Sequence, residues 1–564
     1  MKMIKLLTAG VVLVFVVLIA VYAVNLSAAD DVTDERLALH GLDENLRFEE
    51  PVTISVALWD RHHGRIPDFS QSYWANWVAE QMLERHNVVV EWRIVPRWEE
   101  SVAQHFLLAS AWAPDIGYTF SVDMIGAFSE LGQVVNLLPY LQNYGDWLPN
   151  LYDLLGENIY WGLNTDETEL FYLTGVLHNS NRQVTFIRED WLKALDLPIP
   201  ANLEEYEYTL RAFRNRQDEL PVPGWIDIIP FGHDGLRVSV WDNSSRWLLS
   251  DNIFRVLANS FLPSDISERD LFVYGFETSG FHHENAAREA ARVLNRWAYE
   301  GIIDVLEWEL FMHMLALGDV GSFVGAWDMA TRAQGINYQL RQNVGPDARF
   351  ISLNPFLNDE GEPVKFIPTP TDRFIFLPHT NANVIASLLY LDFMSQPDVI
   401  EFLQFGIEGI HRETQDWGGI RVLFDTDEHI IPDEYFMPSL RNFDLTLLVN
   451  GFDLGDAYKN AFIDASITGE SMWDILQARE VGFSYIRHFG NFNRPGIPAR
   501  PFESSSITWE LRDMQDPIPN TLIRHTSPAN FDAQWAILYA EYLEAGAADI
   551  INERRLAWEQ AFGE

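Results

Sequence analysis

The 564-residue chain contains no cysteine. This absence excludes a disulfide framework, a thiolate metal site and a cysteine nucleophile. A lipoprotein needs a cysteine at its processing site, so we also expect no lipid-modified N-terminus. Lysine is scarce, and most positive charge comes from arginine, whose planar fork suits fixed ion pairs; the lysines are Lys2, Lys5, Lys193, Lys365 and Lys459.

Negative charge dominates the chain, since 82 acidic residues face 39 lysines and arginines and the formal net charge is −43. A surface this anionic repels phosphate backbones and anionic lipid headgroups. We therefore expect no nucleic-acid partner, and a polyanionic ligand is disfavoured.

The length of the chain predicts two or three folding units, because a single hydrophobic core stops growing well below 564 residues. An apolar fraction of 48% and a mean hydropathy of −0.09 are typical of a soluble globular protein. No repeat of fixed period occurs, which argues against solenoids and propellers.

The N-terminus is basic and leads into an unbroken apolar segment, Leu6–Val24, followed by small residues at Ser27 and Ala29. This pattern is typical of a secretory signal peptide over residues 1–29. The apolar segment is long for a signal peptide and nearly long enough to cross a bilayer, so a cleaved signal and an uncleaved membrane anchor both stay open. In both cases we expect export, to the periplasm or to the outer face of the cytoplasmic membrane.

After a polar spacer at residues 30–50, the apolar pattern predicts a strand, a helix and a second strand at Val52–Leu58, Tyr73–Arg85 and Val88–Val95. This order and spacing predict a parallel β-α-β unit. Further helices are predicted at Glu189–Leu195, Asn202–Arg214, Ala286–Tyr299 (ended by Gly301), Leu388–Met394 (with one apolar stripe) and Ala533–Phe562 (interrupted near Gly546), and a further strand at Ser322–Trp327.

Two segments carry recognisable motifs: Phe186–Tyr206 reads FIREDWLKALDLPIPANLEEY, and Arg296–Asp304 reads RWAYEGIID. The first resembles the block IRKDWLDKLGL of the extracellular solute-binding proteins of family 1, and the second resembles their W-Y-x-E-G-L-I-D. Other similar segments follow the family's order, so the resemblance covers the chain from about residue 50 onward; they are Ala113–Ile116, Gly132–Leu137, Gly406–His411 and Asn552–Phe562.

This resemblance implies an α/β protein with the two-lobed periplasmic-binding-protein fold, a type II clamshell with discontinuous lobes and a helical C-terminus. By the same analogy, lobe 1 takes residues 50–165 plus 371–430, and lobe 2 takes residues 166–370 plus 431–564. The implied function is that of the substrate-binding protein of an ABC importer. Such a protein binds a carbohydrate ligand, a sugar or oligosaccharide, between its lobes and delivers it to an ABC permease in the cytoplasmic membrane. We expect a monomer that has no cofactor and is not an enzyme.

Sugars present flat apolar faces and a rim of hydroxyl groups, so a receptor for them needs aromatic rings together with carboxylates, amides and arginines. Ligands of open α/β sheets bind beyond the carboxyl ends of the strands. Trp327 is the strongest candidate, because the resemblance matches it to a cleft aromatic of many sugar receptors. For each tryptophan, core packing is the competing role. The ligand-binding candidates are Trp59, Asp60, Tyr118, Trp241, Asp242, Trp327, Asp328, Glu408 and His411.

Two other functions stay open. An exported carbohydrate-active enzyme also needs an acidic cleft lined by aromatic rings, and the same fold can present its ligand to a membrane sensor kinase. The sequence contains no G-x-S-x-G elbow, no phosphate loop and no H-E-x-x-H. The histidine pairs that begin at His62 and His282 lack the spacing of a helix-borne zinc site, so we expect no metal.

Sugar-binding members of the family often carry a calcium loop that resembles D-P-D-G-N-G-x-x-D. The matching segment here, Phe213–Gly224, lacks the alternating oxygen ligands that calcium requires. We predict that calorimetric titration of the exported body with Ca²⁺ shows no stoichiometric binding. A stoichiometric signal that disappears in the double variant Asp218→Ala, Glu219→Ala would contradict this.

Overall fold

The structure, a computed structural model, describes residues 35–60, 64–66, 68–96, 103, 107–108, 112–119, 122–164, 168–177, 183–222, 228–234, 249–262, 266–274, 284–306, 308–357, 361, 365–367, 371–426, 429–437, 442, 444–483, 486–488, 511, 521–523 and 525–563. The predicted export segment, residues 1–29, and two candidate residues, Trp241 and Asp242, lie outside these residues. Among the helices within them, none is long and apolar enough to cross a membrane.

Short strands and helices alternate along the described chain. The strands are β1 (Val52–Asp60), β2 (Val88–Pro96), β3 (Gly117–Thr119), β4 (Leu173–Leu177), β5 (Gln183–Arg188), β6 (Phe231–Asp234), β7 (Ile303–Leu306), β8 (Ser322–Ala326), β9 (Phe350–Leu353), β10 (Lys365–Ile367), β11 (Thr371–Phe376), β12 (Arg412–Thr414), β13 (Ile420–Val422), β14 (Val449–Asn450) and β15 (Ile486–His488). The helices are α1 (Tyr73–His86), α2 (Val122–Glu130), α3 (Leu138–Tyr144), α4 (Pro149–Leu155), α5 (Glu189–Ala194), α6 (Leu203–Asn215), α7 (Leu249–Ser260), α8 (Glu268–Tyr274), α9 (Glu284–Glu300), α10 (Trp308–Leu317), α11 (Ile336–Asn343), α12 (Val384–Met394), α13 (Pro397–Phe405), α14 (Ala457–Thr468), α15 (Met472–Phe483), α16 (Phe531–Tyr542) and α17 (Ala548–Phe562).

The first sheet is assembled from distant parts of the chain. β14, β4, β11 and β3 pair in that order, and β1 and β2 pair in parallel over their whole length. A parallel bridge between Val56 of β1 and Ile116, directly before β3, joins the two groups. This pairing confirms the predicted parallel β-α-β unit of β1, α1 and β2.

The second sheet has β5 at its centre, antiparallel to both β8 and β9. β6 and β7 form a parallel pair, and a bridge between Ile229 and Val320 links this pair to β8. The predicted strand at Ser322–Trp327 is confirmed as β8, which ends one residue earlier.

Each sheet has its own hydrophobic core. One cluster of buried side chains surrounds β1, α1, α12 and α13. Two further clusters surround the second sheet, one formed with α6, α7 and α9 and the other with α10, α11 and α15. β1 is buried without interruption from Ile54 to Trp59, as expected of a strand that is covered on both faces of its sheet.

The chain passes between the two sheets three times. β4 belongs to the first sheet, and the next strand, β5, belongs to the second. β9 belongs to the second sheet and β11 to the first. β14 belongs to the first sheet, whereas α15, the second helix after it, packs against β5 and β9. Each lobe is therefore discontinuous in sequence.

Helix ends follow the signals in the sequence. Asn202 caps α6, because its side chain accepts a hydrogen bond from the Glu205 amide at 2.9 Å. Gly301, directly after α9, has a φ of 67°, in the left-handed region that favours glycine. The break predicted near Gly546 is confirmed, since this residue has a φ of 119° and separates α16 from α17.

α12 departs from its predicted single apolar stripe. Every residue from Val384 to Met394 is buried, because the helix packs against β1, α1 and α4 at once. Its Asp392 accepts hydrogen bonds from the Leu151 amide at 2.9 Å and from the Asn150 side chain at 2.8 Å. Burial raises the pKa of Asp392 above its ordinary value. The predicted stripe is wrong, since a helix that is covered on all sides needs no polar face.

Arg188, in the segment FIREDW, is fully buried directly before α5. Its guanidinium donates two hydrogen bonds to the Asp190 carboxylate, at 2.8 and 2.7 Å, and one to the Gly318 carbonyl at 2.8 Å. Its Cζ atom lies 5.0 Å from the centre of the Trp191 ring. This ion pair ties β5 and α5 to the turn before β8.

We predict that Asp190→Asn lowers the free energy of unfolding by about 3 to 5 kcal/mol, because removing one partner of a buried ion pair leaves an uncompensated buried charge. Urea denaturation followed by tryptophan fluorescence measures the change. The exposed pair of Arg216 and Glu219, 2.7 Å apart, provides the control, and Glu219→Gln leaves the unfolding curve unchanged. Equal effects of the two substitutions would show that burial of the Arg188 pair contributes nothing.

Candidate functional site

Trp59 and Tyr118 lie together near the carboxyl end of β1. Trp59 is the penultimate residue of that strand, and Tyr118 is the central residue of β3. Their rings meet edge to face, with centroids 4.7 Å apart. Both side chains are buried, and Trp59 is only 2% exposed. The structure thus brings two of the predicted site residues into contact within the core of the first sheet.

Arg373, in β11, covers the Trp59 ring. Its Cζ atom lies 4.8 Å from the centre of that ring, and its side chain is buried. Its Nη1 atom donates to the backbone carbonyls of Thr446 and Leu447, at 3.3 and 3.5 Å. The cation therefore links β1 and β11 to the segment that leads into β14.

Trp327 follows β8 and has a similar environment beside the second sheet. Its side chain is 5% exposed, and the Cζ atom of Arg479 in α15 lies 5.0 Å from the centre of its ring. Arg479 pairs with Asp464 of α14 at 2.6 Å and lies 5.5 Å from the centre of the Phe452 ring. Because Phe452 belongs to the segment between β14 and α14, Arg479 joins Trp327 to a chain crossing.

The contact between Trp327 and α15 requires glycine at position 482. A Cβ atom on Gly482 would lie 2.9 Å from the Cβ atom of Trp327, well inside the normal separation of two non-bonded carbon atoms. A larger residue there would push the indole away from Arg479.

Each of these two candidate tryptophans thus has a ring covered by a buried arginine, Trp59 by Arg373 and Trp327 by Arg479. A cation over an indole face contributes about 0.5 to 2 kcal/mol and fixes the orientation of the ring. Both arginines escaped prediction, because each contacts a tryptophan that is distant in sequence. One signal for Arg373 is present in the sequence. It stands directly before the apolar end of the strand TDRFIF, and an arginine that is buried there needs a polar or aromatic partner.

Two predicted carboxylates are engaged within their own turns. Asp328 accepts two hydrogen bonds from the Arg332 guanidinium, at 3.0 and 2.9 Å. Glu408 accepts from the backbone amide and from the hydroxyl of Thr414, both at 2.7 Å, and these bonds lower the pKa of Glu408. Asp60 ends β1, and its side chain lies outside the described part of the chain. Ligand contacts by these three residues stay predictions.

His411 is buried between α1 and residues 431–437. Its Nδ1 atom accepts a hydrogen bond from the Ile407 amide at 3.1 Å, so Nε2 carries the proton and donates to the Tyr435 carbonyl at 2.9 Å. The ring packs edge to face against Trp74, with centroids 5.3 Å apart. Burial lowers the pKa of His411, because a charged ring would lose its hydration. These contacts give His411 a structural role.

No group of three or more histidine, aspartate or glutamate side chains could hold a metal ion, as far as the described residues extend. Where the resemblance places a calcium loop, α6 continues to Asn215 and Glu219 is held by Arg216. The lack of calcium binding stays a prediction for the titration.

We predict that His411 makes the protein less stable in mild acid. Its pKa in the folded state is lowered from the ordinary 6.5, so the unfolded chain takes up more protons and stability falls as the pH drops below about 6.5. His411→Gln keeps a neutral donor and acceptor, and its free energy of unfolding therefore declines less between about pH 7 and pH 5. Urea unfolding at several pH values compares the two slopes, and parallel curves would contradict the assignment. His86, whose pKa burial also lowers, titrates in both proteins.

No family model matches the chain, and no curated protein matches its sequence. Solved structures do match it. An alginate-binding protein without calcium ion superposes with a TM-score of 0.59 at 16% identity, over 92% of this chain and 100% of its own. An extracellular solute-binding protein from Bifidobacterium longum subsp. infantis gives 0.59 at 14% identity, over 91% and 98%. An ABC-transporter substrate-binding protein from S. pneumoniae in complex with kestose gives 0.55 at 14% identity, over 90% and 99%. The chain therefore has the two-lobed α/β fold of the extracellular solute-binding proteins, with discontinuous lobes and a helical C-terminus, as the resemblance in its sequence predicted.

Proposed function

We propose that this chain is the extracytoplasmic substrate-binding protein of an ABC importer and that it binds a sugar or oligosaccharide between its two lobes. The shared fold is the observation that carries the proposal, because it covers 90% or more of this chain in proteins that bind alginate or kestose. The family motifs at Phe186–Tyr206 and Arg296–Asp304 support it independently. These structures are of binding proteins, which favours ligand delivery over catalysis.

Export and a membrane partner belong to this function. The basic and apolar N-terminus suits delivery of the body across the cytoplasmic membrane, and the partner there is an ABC permease. Recognition of the closed form by the permease requires no chemistry on the ligand, so the proposed carrier needs no cofactor. We also propose that it acts as a monomer.

Hinge closure supplies the mechanism. We place the lobes at the boundaries that the sequence predicts, with three exceptions. β4 joins lobe 1 because it pairs in the first sheet, and lobe 1 extends to about residue 450 because Leu445 and Leu447–Val449 pack in the first core. The β12–β13 hairpin goes with lobe 2, because β13 packs against α14. The three crossing segments then form the hinge. A ligand that touches both lobes stabilises the closed state, because only there does it make its full set of contacts.

Trp327 is the leading ligand contact in this proposal, with Trp59 and Tyr118 on the other lobe. Both indoles pack in the core of their own lobe, and an arginine covers one face of each ring. The arginines therefore support the rings from one side, and the proposal requires that opening of the lobes expose part of the opposite face, where a sugar would stack. Contacts by Asp60, Asp328, Glu408, Trp241 and Asp242 complete the proposed site.

We predict that a carbohydrate raises the thermal midpoint of the exported body, because a ligand that binds only the native state stabilises it by mass action, by about 2.7 kcal/mol at a hundredfold excess over Kd. A thermal-shift screen against oligosaccharides of graded length measures this, with amino acids and dipeptides as the control set. A shift with peptides alone would overturn the carbohydrate assignment. Release of reducing ends from a ligand that binds would show an enzyme instead.

We predict that Trp327→Ala weakens the affinity for the carbohydrate found in that screen by about 1 to 3 kcal/mol, through the loss of stacking. It also lowers the thermal midpoint, because it empties a buried site. Trp327→Phe separates the two effects, since it restores most of the packing while the affinity stays reduced. Trp191→Phe, at an indole buried in the second core, is the matched control and changes only the midpoint. Native affinity in both Trp327 variants would remove this residue from the site.

A further inference from the structure

Four aromatic side chains form a continuous row on the surface, which we name the aromatic strip. Trp417 lies in the turn between β12 and β13, Tyr458 and Phe462 lie on α14, and Trp473 lies at the start of α15. The Trp417 centroid is 5.0 Å from that of Phe462 and 6.1 Å from that of Tyr458. The Tyr458 centroid is 5.9 Å from that of Trp473.

The aromatic strip is open to solvent. Trp473 is 65% exposed, Trp417 is 46% exposed and Tyr458 is 43% exposed. A single exposed ring on a protein surface needs no explanation, but a contiguous group of large rings marks an interaction surface. Core packing does not account for the strip, because its three largest exposed rings leave much of their area in water.

A firm base holds the strip in place. The hairpin and helix that carry three of the rings, β12–β13 and α14, also contribute to a cluster of buried side chains, namely Phe405, Ile420, Val422, Phe452 and Ile463. The hairpin is fastened to α14 by a hydrogen bond from the Val422 amide to the Ser466 hydroxyl at 3.0 Å. The rings therefore lose little conformational freedom when a ligand binds, which favours affinity.

The relative orientation of the rings suits a sugar chain. Tyr458 is inclined by 65° to Trp417 and by 70° to Trp473, so a phenol stands between two indole plates. Flat indole faces stack on the apolar faces of sugar rings, and a phenol hydroxyl serves as donor or acceptor for sugar hydroxyls. The two indoles with the phenol between them therefore match an oligosaccharide, along which apolar faces alternate with hydroxyl groups.

Charges of both signs lie beside the strip. Asp416 and Glu413 are exposed near Trp417, and Glu413 pairs with Arg421 at 3.4 Å. The Lys459 ammonium lies over the hairpin turn, 2.9 Å from the position of a Cβ atom on Gly418. The chain as a whole carries a net charge of −43, which opposes anionic lipid surfaces, nucleic acids and a second copy of the same chain. A neutral glycan meets no such repulsion, and the polar rim offers it hydrogen bonds.

We propose that the aromatic strip binds a neutral polysaccharide chain, at a site other than the one proposed around Trp59 and Trp327. The strip lies at the N-terminal end of α15, whereas Arg479, which covers Trp327, lies two turns farther along the same helix. Such a site goes beyond the proposed transport function. It holds the protein, exported as proposed above, on polymeric carbohydrate outside the cell membrane.

Affinity electrophoresis tests the proposal. The exported body runs in native gels that contain barley β-glucan, xyloglucan, inulin or pullulan, beside gels without polysaccharide. At least one polymer retards the native protein, and Trp417→Ala and Trp473→Ala each weaken the retardation roughly tenfold, as expected for the loss of one stacked ring. Trp112→Ala removes a comparably exposed indole elsewhere and runs like the native protein. Unchanged thermal midpoints of the strip variants establish that they fold.

The outcomes separate the strip from the site between the lobes. The thermal shift caused by short oligosaccharides reports on the interlobe site and is unchanged in the strip variants. No retardation of the native protein by any polymer, or equal retardation of native and strip variants, overturns the proposal. Loss of retardation in Trp112→Ala as well shows nonspecific adsorption and also overturns it. Strip variants that keep native retardation but fail in permease-dependent uptake assign the surface to the permease instead.

Discussion

The pairing of β11 with both β3 and β4 is the interaction on which the rest of the structure depends. Without β11, the pair of β4 and β14 is a two-stranded ribbon, which is barely stable in water, and β3 is joined to β1 only through the bridge at Ile116. With β11 between them, they form one sheet with its own core. Because β5 follows β4 directly and lies at the centre of the second sheet, the same pairing fixes where the chain crosses from one lobe to the other.

Arginine supplies the polar links within this framework. Arg188 fastens β5 to the turn before β8, Arg373 fastens β1 to the segment before β14, and Arg479 fastens α15 to the end of β8. All three side chains are buried, where a planar fork with several donors holds its partners in one geometry. Exposed pairs such as Arg216 with Glu219 contribute far less, because water and salt screen them. A chain poor in lysine thus relies on a few buried cations.

Local patterns in the sequence predicted the local structure. The apolar pattern of Val52–Leu58, Tyr73–Arg85 and Val88–Val95 predicted the parallel β-α-β unit. Gly546 predicted the break in the C-terminal helix, because each of these signals acts within a few residues. The burial of α12 on all sides depends on α4 and β1, which lie far away in the chain. The sequence of this eleven-residue segment does not show whether neighbouring elements cover one face of the helix or all of it. For the site, the position after a strand marked Trp59 and Trp327. Arg373 and Arg479 could not be found in that way, because a contact between residues that are distant in sequence produces no periodic pattern in the sequence.

The position of β11 late in the sequence has a consequence for the proposed export. A chain exported with its N-terminal end first would lack the central strand of the first sheet until residues 371–376 had crossed the membrane. The second core likewise waits for α15 and α16. Neither lobe can complete itself while the chain is in transit, so pairing over long sequence distances delays folding until translocation is nearly finished. Because each sheet combines strands that are far apart in sequence, the chain stays unfolded during translocation, as passage through the channel requires.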